Sequence, residues 1–162
     1  DRHQELIENV RRAGARVRLI GDGDVSSAIS TAFDDTGIDI CAGIGGAPEG
    51  VIAAAALKCL GGEMQARLVP EDEDEYNRCL SMGITDPRCI LKMDDLVKGD
   101  DAIFAASGVT DGELLRGVRL YGGERAETHS VVMRAKTGTV RFVRAIHMLS
   151  RKLDPSILPR RP

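Results

Sequence analysis

The chain has 162 residues, of which 43% are hydrophobic and 29% are charged, and its formal net charge is −3. This length can bury one good core, and the balance of acidic and basic residues is typical of a soluble domain with no basic nucleic-acid footprint. With no Trp, two Tyr and three Phe, the chain also lacks the aromatic platforms of single-strand binders, so nucleic acid is not an expected partner.

The first half of the chain alternates helical patterns with short apolar runs. Apolar residues at helical spacing predict helices, and short apolar runs bounded by glycine predict strands. In chain order we predict a helix at 2–13, a strand at 17–20, a helix at 25–33, a strand at 38–42, a helix at 48–60, a strand at 64–69 and a helix at 71–82. This alternation predicts right-handed parallel crossovers in one sheet covered by helices.

From Cys89 onward the pattern changes to strands. We predict strands at 102–106, 117–121, 128–135 and 140–146, the last two joined by a hairpin whose turn contains Thr137 and Gly138. The predicted fold class is therefore α/β, a layered mixed sheet flanked by helices. Residues 1–150 are assigned to one α/β domain and residues 151–162, which contain several prolines and the basic residues Arg160 and Arg161, to a tail.

Acidic, glycine-rich segments follow the predicted strands. Asp22 and Asp24 come after the strand at 17–20, Glu49 comes after the strand at 38–42, and a third such segment, 107–112, comes after the strand at 102–106. If the first two strands are parallel, Asp22, Asp24 and Glu49 meet at the carboxyl edge of the sheet, where ligands of open α/β sheets bind. Glu49 lies in the first turn of its helix, where the helix dipole keeps a carboxylate ionised, so it could hold a cation.

Each of these features also has an ordinary structural explanation. Pro-Glu opens many helices, glycine-rich turns are common packing devices, and Asp22 or Asp24 could serve its turn, with Asp24 as a helix N-cap. The acidic run at 71–75 is expected to be the solvated first turn of a helix. Structural or surface roles are expected for the three histidines, which are His3, His129 and His147.

Several familiar motifs are absent from the sequence. The glycines at 43, 45 and 46 do not complete a dinucleotide fingerprint, and no P-loop lysine follows them. The four cysteines, at 41, 59, 79 and 89, form no C-x-x-C pair, so zinc is not indicated and a reducing, cytoplasmic setting is favoured. No apolar run reaches 18 residues and no signal-like N-terminus is present, which argues against membrane insertion and export.

Six short sequence pieces, taken in their order along the chain, are specific enough to indicate a protein family. The pieces are D-R-H, L-I-G-D-G-D-V, G-I-G-G-A-P-E-G-V, G-I-T-D, A-S-G-V-T-D-G and T-H-S. In this order they resemble the class II, GlpX-like fructose-1,6-bisphosphatases, and the resemblance covers the C-terminal half of that family. It implies a layered α/β fold of the sugar-phosphatase superfamily, which includes inositol monophosphatase-like enzymes. Because the chain opens without Met, in a helical pattern, we expect a fragment or a processed chain.

The resemblance also implies site residues. Glu49 matches a metal-binding glutamate, and Arg2 matches a basic residue that holds a substrate phosphate. The remaining matches are to substrate-binding positions, which are Asp22, Gly23, Asp24 and Gly46. The family's other metal carboxylates and its water-positioning threonine belong to the N-terminal half, so no catalytic residue is assigned in this chain.

The activity that the resemblance implies is metal-dependent hydrolysis of the C1 phosphate of fructose 1,6-bisphosphate to fructose 6-phosphate, a step of gluconeogenesis. The implied cofactor is Mn²⁺ or Mg²⁺, the partner is a small sugar bisphosphate, and a cytoplasmic homo-oligomer is expected. Two alternatives stay open: a dual fructose-1,6-/sedoheptulose-1,7-bisphosphatase, and a non-catalytic sugar-phosphate-binding domain. The chain alone is expected to be inactive.

Overall fold

The computed structural model describes residues 3–151, and these residues form a mixed α/β structure. The helices are α1 (Gln4–Arg12), α2 (Asp24–Ser30), α3 (Ala47–Leu60), α4 (Glu73–Ser81) and α5 (Met93–Leu96). The strands are β1 (Gln65–Ala66), β2 (Leu91–Lys92), β3 (Ile103–Ser107), β4 (Arg119–Tyr121), β5 (Arg125–Arg134) and β6 (Thr139–Met148). Arg2 and the predicted tail from residue 152 onward lie outside the described residues.

The main sheet is built around β5. β6 pairs with β5 along its whole length, from Arg125↔Met148 to Arg134↔Thr139. On the other edge of β5, β3 and β4 follow one another, because β4 pairs with residues 125–127 and β3 with residues 130–134. All of these pairings are antiparallel.

The core lies between one face of this sheet and the helices α2 and α3. Strand residues that are paired across the sheet point to the same face, and Phe104, paired with Met133, shares that face with Val131. These side chains form one buried cluster with Ile29 of α2 and with α3 residues. The α3 residues nearest the sheet are small (Ala56 and Cys59), which allows the helix to lie close to it.

A smaller unit follows α3. β1 and β2 form a two-stranded antiparallel sheet, and α4 lies between them in the sequence. Asp72 caps α4 by accepting a hydrogen bond from the backbone N–H of Glu75 at 2.8 Å, so the acidic run is a capped and exposed first turn, as predicted. The Lys58 ammonium joins α5 to α3 by donating to Asp94 at 2.9 Å and to the carbonyl of Val97 at 2.8 Å.

An ion pair links β5 to β6 near the end of the main sheet where β4 pairs with β5. Glu127 is 7% exposed and accepts hydrogen bonds from Arg144 at 2.6 Å and from the Tyr121 hydroxyl at 3.2 Å. The Arg144 guanidinium therefore holds the pKa of the Glu127 carboxyl below its usual range. The buried carboxylate is satisfied, and it stays charged.

The α/β class and the four predicted β-strands of the second half are confirmed, as is the hairpin turn, where Gly138 has φ 57°. The helices predicted at 2–13, 25–33, 48–60 and 71–82 are confirmed with shorter or shifted ends. The strand predicted at 64–69 is only the two-residue β1.

The parallel part of the predicted mixed sheet is wrong for the described residues. The segments 17–20 and 38–42 form no strand pairing there, and they expose apolar side chains, with Leu19 66% and Ile40 81% accessible. An apolar run indicates a segment that can be buried in a sheet, but it does not supply the neighbouring strand. No helix in the described part of the chain has the length and apolar character needed to span a bilayer.

Candidate functional site

The predicted acidic residues lie together in the structure. Asp22, Gly23, Asp24 and Glu49 line one open concavity of about 440 Å³, and Gly21 and Val25 complete its wall. The three carboxylates are exposed. They meet because α2 packs against α3 with their acidic first turns side by side, not because two parallel strands end at one edge. The predicted convergence is therefore present, but its predicted cause is not.

The start of α2 depends on Gly23. This residue, and not Asp24, is the N-cap, and its φ of 80° lies in the left-handed region that glycine adopts without strain. Its carbonyl accepts the Ser27 N–H at 3.0 Å and the Ser26 hydroxyl at 2.8 Å. The prediction that Asp24 caps the helix is therefore wrong, and its carboxylate is left to face the concavity.

The start of α3 depends on glycines for a different reason. Gly46, the N-cap, has φ −66°, so its backbone conformation does not require glycine, but a side chain there would displace a neighbouring carboxylate. A Cβ at Gly46 would overlap the Glu49 carboxylate, and a Cβ at Gly45 would lie 2.7 Å from Asp24 Oδ2. The two consecutive glycines thus leave room for two carboxylates that come from two helices.

Asp24 also acts on the neighbouring thiol of Cys41. Desolvation raises the pKa of the Cys41 thiol, and the negative charge of Asp24 raises it further. A thiol held in its neutral form is a poor nucleophile. The Cys41 thiol is therefore less nucleophilic than an ordinary exposed cysteine.

This proximity gives a testable prediction. In an Asp24→Asn variant the carboxylate charge is gone, so the pKa of Cys41 falls and its thiolate fraction at pH 8 rises. We expect iodoacetamide to alkylate Cys41 faster than in the parent protein, as measured by mass spectrometry of the peptide that contains it. Asp22→Asn is the matched control and should leave that rate unchanged; an equal effect of both variants would show that Asp24 does not act on the thiol directly.

The third acidic segment does not join the concavity. Asp111 Oδ1 accepts the Gly117 N–H at 2.9 Å, so this carboxylate holds its own loop together. A Cβ at Gly117 would lie 2.7 Å from the carbonyl carbon of Thr110, which explains the glycine there. An ion pair between Glu113 and Arg18 links this loop to residues 17–20, which precede Asp22 in the sequence.

His3 is a site contact that the sequence analysis treated only as a structural or surface residue. Its Nε2 accepts the backbone N–H of Ile44 at 2.9 Å, directly before Gly45 and Gly46. The signal for it was the D-R-H piece at the start of the chain. Arg2, the predicted phosphate-binding residue of that piece, lies outside the described residues.

The described residues do not form a complete metal centre. Within residues 3–151, no group of three or more His, Cys, Asp or Glu side chains could together hold an ion. Glu49 offers one hard, exposed oxygen ligand, and Mg²⁺ is commonly held by one or two carboxylates together with substrate phosphates. Glu49 therefore fits as a single contribution to a shared ion site.

A larger concavity, of about 780 Å³, lies at the start of α4. Its wall includes Arg67, Tyr76 and Arg88, and the Arg88 guanidinium lies 5.6 Å from the centroid of the Tyr76 ring. It contains none of the residues that the sequence analysis assigned to a site. Its size reflects the open junction between the acidic first turn of α4 and the segment before it, so we place the functional site at the smaller concavity.

The α/β fold with its acidic, glycine-lined concavity fits the sugar-phosphatase class that the sequence resemblance implies. Residues 1–147 match the family described as bacterial fructose-1,6-bisphosphatase, glpX-encoded, and the chain belongs to that family. The resemblance noted from the sequence is thereby confirmed.

Curated relatives give the same assignment. A D-fructose 1,6-bisphosphatase class 2/sedoheptulose 1,7-bisphosphatase of Synechococcus sp. (strain JA-3-3Ab) is 46% identical over 159 residues, which cover 91% of this chain and 46% of the relative. The protein of the same description from Microcystis aeruginosa (strain NIES-843 / IAM M-2473) is 47% identical over 162 residues, covering 93% of this chain and 47% of the relative. The chain thus spans about half the length of the curated relatives it matches.

Proposed function

We propose that the complete protein containing this chain is a metal-dependent phosphatase that converts fructose 1,6-bisphosphate to fructose 6-phosphate by hydrolysing the C1 phosphate. The observation that carries this proposal is that Asp22, Gly23, Asp24 and Glu49 line the same concavity. The chain belongs to the glpX-encoded fructose-1,6-bisphosphatase family. A sugar ester needs acceptors for its hydroxyls, and a phosphate needs cations. The described residues supply carboxylate acceptors for the hydroxyls and one ligand, Glu49, for a cation.

We assign substrate binding to the N-terminal side of α2. The exposed carboxylates of Asp22 and Asp24 would accept hydrogen bonds from sugar hydroxyls and so fix the orientation of the ring or chain. Gly23 and Gly46 carry no side chain, so the substrate could approach the backbone closely there. Arg2 would pair with the phosphate that does not react.

We assign the metal ligand to Glu49. Its carboxylate is exposed beside the same concavity, and hard oxygen ligands favour Mg²⁺ or Mn²⁺. When bound, such an ion neutralises phosphoryl charge and lowers the pKa of an attacking water. The role of Glu49 is to place that charge beside the sugar-binding carboxylates. Because the described residues offer no full ligand set, we expect the 162-residue chain alone to be inactive.

A second substrate has specific support. The names of the relatives include sedoheptulose 1,7-bisphosphatase as well as fructose 1,6-bisphosphatase. The concavity is open, and its acidic wall would contact hydroxyls that the two sugar bisphosphates share. We therefore propose a dual specificity as the alternative, because one extra carbon changes only how deep the pocket must be.

Phosphate release tests both proposals. We expect the complete protein with Mn²⁺ to release phosphate from fructose 1,6-bisphosphate and not from fructose 6-phosphate, as measured by a colorimetric phosphate assay. Parallel assays with sedoheptulose 1,7-bisphosphate separate the single specificity from the dual one. No release from either bisphosphate at any Mn²⁺ or Mg²⁺ concentration would favour the non-catalytic sugar-phosphate-binding domain.

We propose a cytoplasmic homo-oligomer that acts in gluconeogenesis. The free thiols of Cys41 and Cys89 are exposed, which suits a reducing compartment. Large apolar side chains are exposed on the main sheet, with Ile103 67% and Leu120 75% accessible. Exposed apolar side chains of this kind support contact between protein copies or domains.

A further inference from the structure

The glycine loop is defined as residues 43–46. A polar side chain lies close to each of its three glycines. A Cβ at Gly43 would lie 3.4 Å from Cε1 of His3, whereas those at Gly45 and Gly46 would meet the carboxylates of Asp24 and Glu49. None of these glycines has a positive φ. The missing side chains at Gly45 and Gly46, and not their backbone freedom, leave room for the two carboxylates in their present positions.

The three side chains come from the starts of three helices. His3 is the N-cap of α1, Asp24 is the first residue of α2 and Glu49 lies in the first turn of α3. The backbone of His3 is fixed because its carbonyl accepts the Ile7 N–H at 2.9 Å. Its imidazole is the part that leaves α1 and reaches the loop.

We propose that His3 is a positioning residue for the site, which sets the glycine loop so that Asp24 and Glu49 face the same substrate. The contact that does this is the Ile44 N–H donating to His3 Nε2 at 2.9 Å. This inference rests on the proposed phosphatase function only for its kinetic consequence. The contact itself can be tested without any turnover.

The hydrogen bond from Ile44 defines the tautomer of His3. A ring nitrogen that accepts a hydrogen bond carries no proton, so the neutral ring bears its proton on Nδ1. Ile44 and His3 are 41 positions apart in the sequence, so the bond joins α1 to the loop before α3. His3 also follows Arg2 directly in the sequence.

Loss of the acceptor should therefore loosen the loop and misplace both carboxylates. Groups that orient a ligand-bearing residue typically contribute about 10–100-fold in metal affinity or activity. We expect His3→Leu in the complete protein to lower kcat/KM for fructose 1,6-bisphosphate by about 10–100-fold. It should also raise the Mn²⁺ concentration needed for half-maximal activity.

Two amide variants distinguish this bond from simple packing. The side-chain amide of Gln extends about as far as imidazole Nε2, whereas that of Asn, one methylene shorter, reaches only the Nδ1 position. His3→Gln should restore most of kcat/KM, and His3→Asn should resemble His3→Leu. Gln4→Ala is the matched control in the same helical turn, because Gln4 is exposed and bonds only to Glu8 at 3.2 Å among the contacts described here.

Amide hydrogen exchange gives a readout that does not depend on activity. We expect faster exchange of the peptide containing Ile44 in His3→Leu and His3→Asn than in His3→Gln or Gln4→Ala. Unchanged exchange in His3→Leu, or a His3→Gln variant no better than His3→Asn, would overturn the inference. A parent protein that hydrolyses no sugar bisphosphate would instead contradict the proposed function, and the exchange rates would still decide the role of His3.

Discussion

Replacing Glu49 by glutamine is expected to abolish metal-dependent phosphate release while leaving the fold intact. Glutamine has the same shape but no charge, so it is a much weaker ligand for Mn²⁺ or Mg²⁺. We expect kcat/KM for fructose 1,6-bisphosphate to fall by at least about 100-fold, beyond the range for residues that only orient a ligand. The measurement is phosphate release from the complete protein during a Mn²⁺ titration.

The fold should survive this change because Glu49 is exposed. The only expected structural cost is the lost interaction with the helix dipole, about 0.3–1 kcal/mol in the free energy of unfolding. Glu63→Gln is the matched control, since Glu63 is an exposed carboxylate just beyond the other end of α3. Wild-type kcat/KM in Glu49→Gln at every Mn²⁺ concentration would remove Glu49 from the ion site.

Glu49 also shows how far the sequence predicts this site. Proline at the second position of α3 and glutamate in its first turn have local causes, so the start of the helix was predictable. That Glu49 meets Asp24 is a property of how α2 packs on α3, which no local pattern specifies. The meeting of Asp22, Asp24 and Glu49 was therefore predicted, but from a strand geometry that the described structure does not contain.

The glycines are a second example of what a local sequence pattern does not specify. Gly23 is needed for its φ of 80°, whereas side chains at Gly45 and Gly46 would displace the carboxylates of Asp24 and Glu49. In the sequence, a glycine required for conformation and one required for space are indistinguishable. The hydrogen bond of His3 was missed for a related reason, because its partner Ile44 is 41 positions away.

The second large effect is expected in the core beneath α2. α2 has seven residues and is too short to be stable as an isolated helix. Ile29, which is 1% exposed, is its anchor in the buried cluster shared with α3 and the main sheet. The position of Asp24 at the concavity therefore depends on this side chain at the other end of the helix.

Ile29→Ala should lower the free energy of unfolding by about 2–5 kcal/mol, because it removes buried methyl groups and leaves a cavity. Ile29→Val, the matched control, removes a single methyl and should cost only about 0.5–1.5 kcal/mol. Chemical denaturation measures both, with the midpoint falling and the slope unchanged. Equal and small losses in the two variants would mean that α2 is held by something other than Ile29, and that Asp24 is positioned from the glycine loop alone.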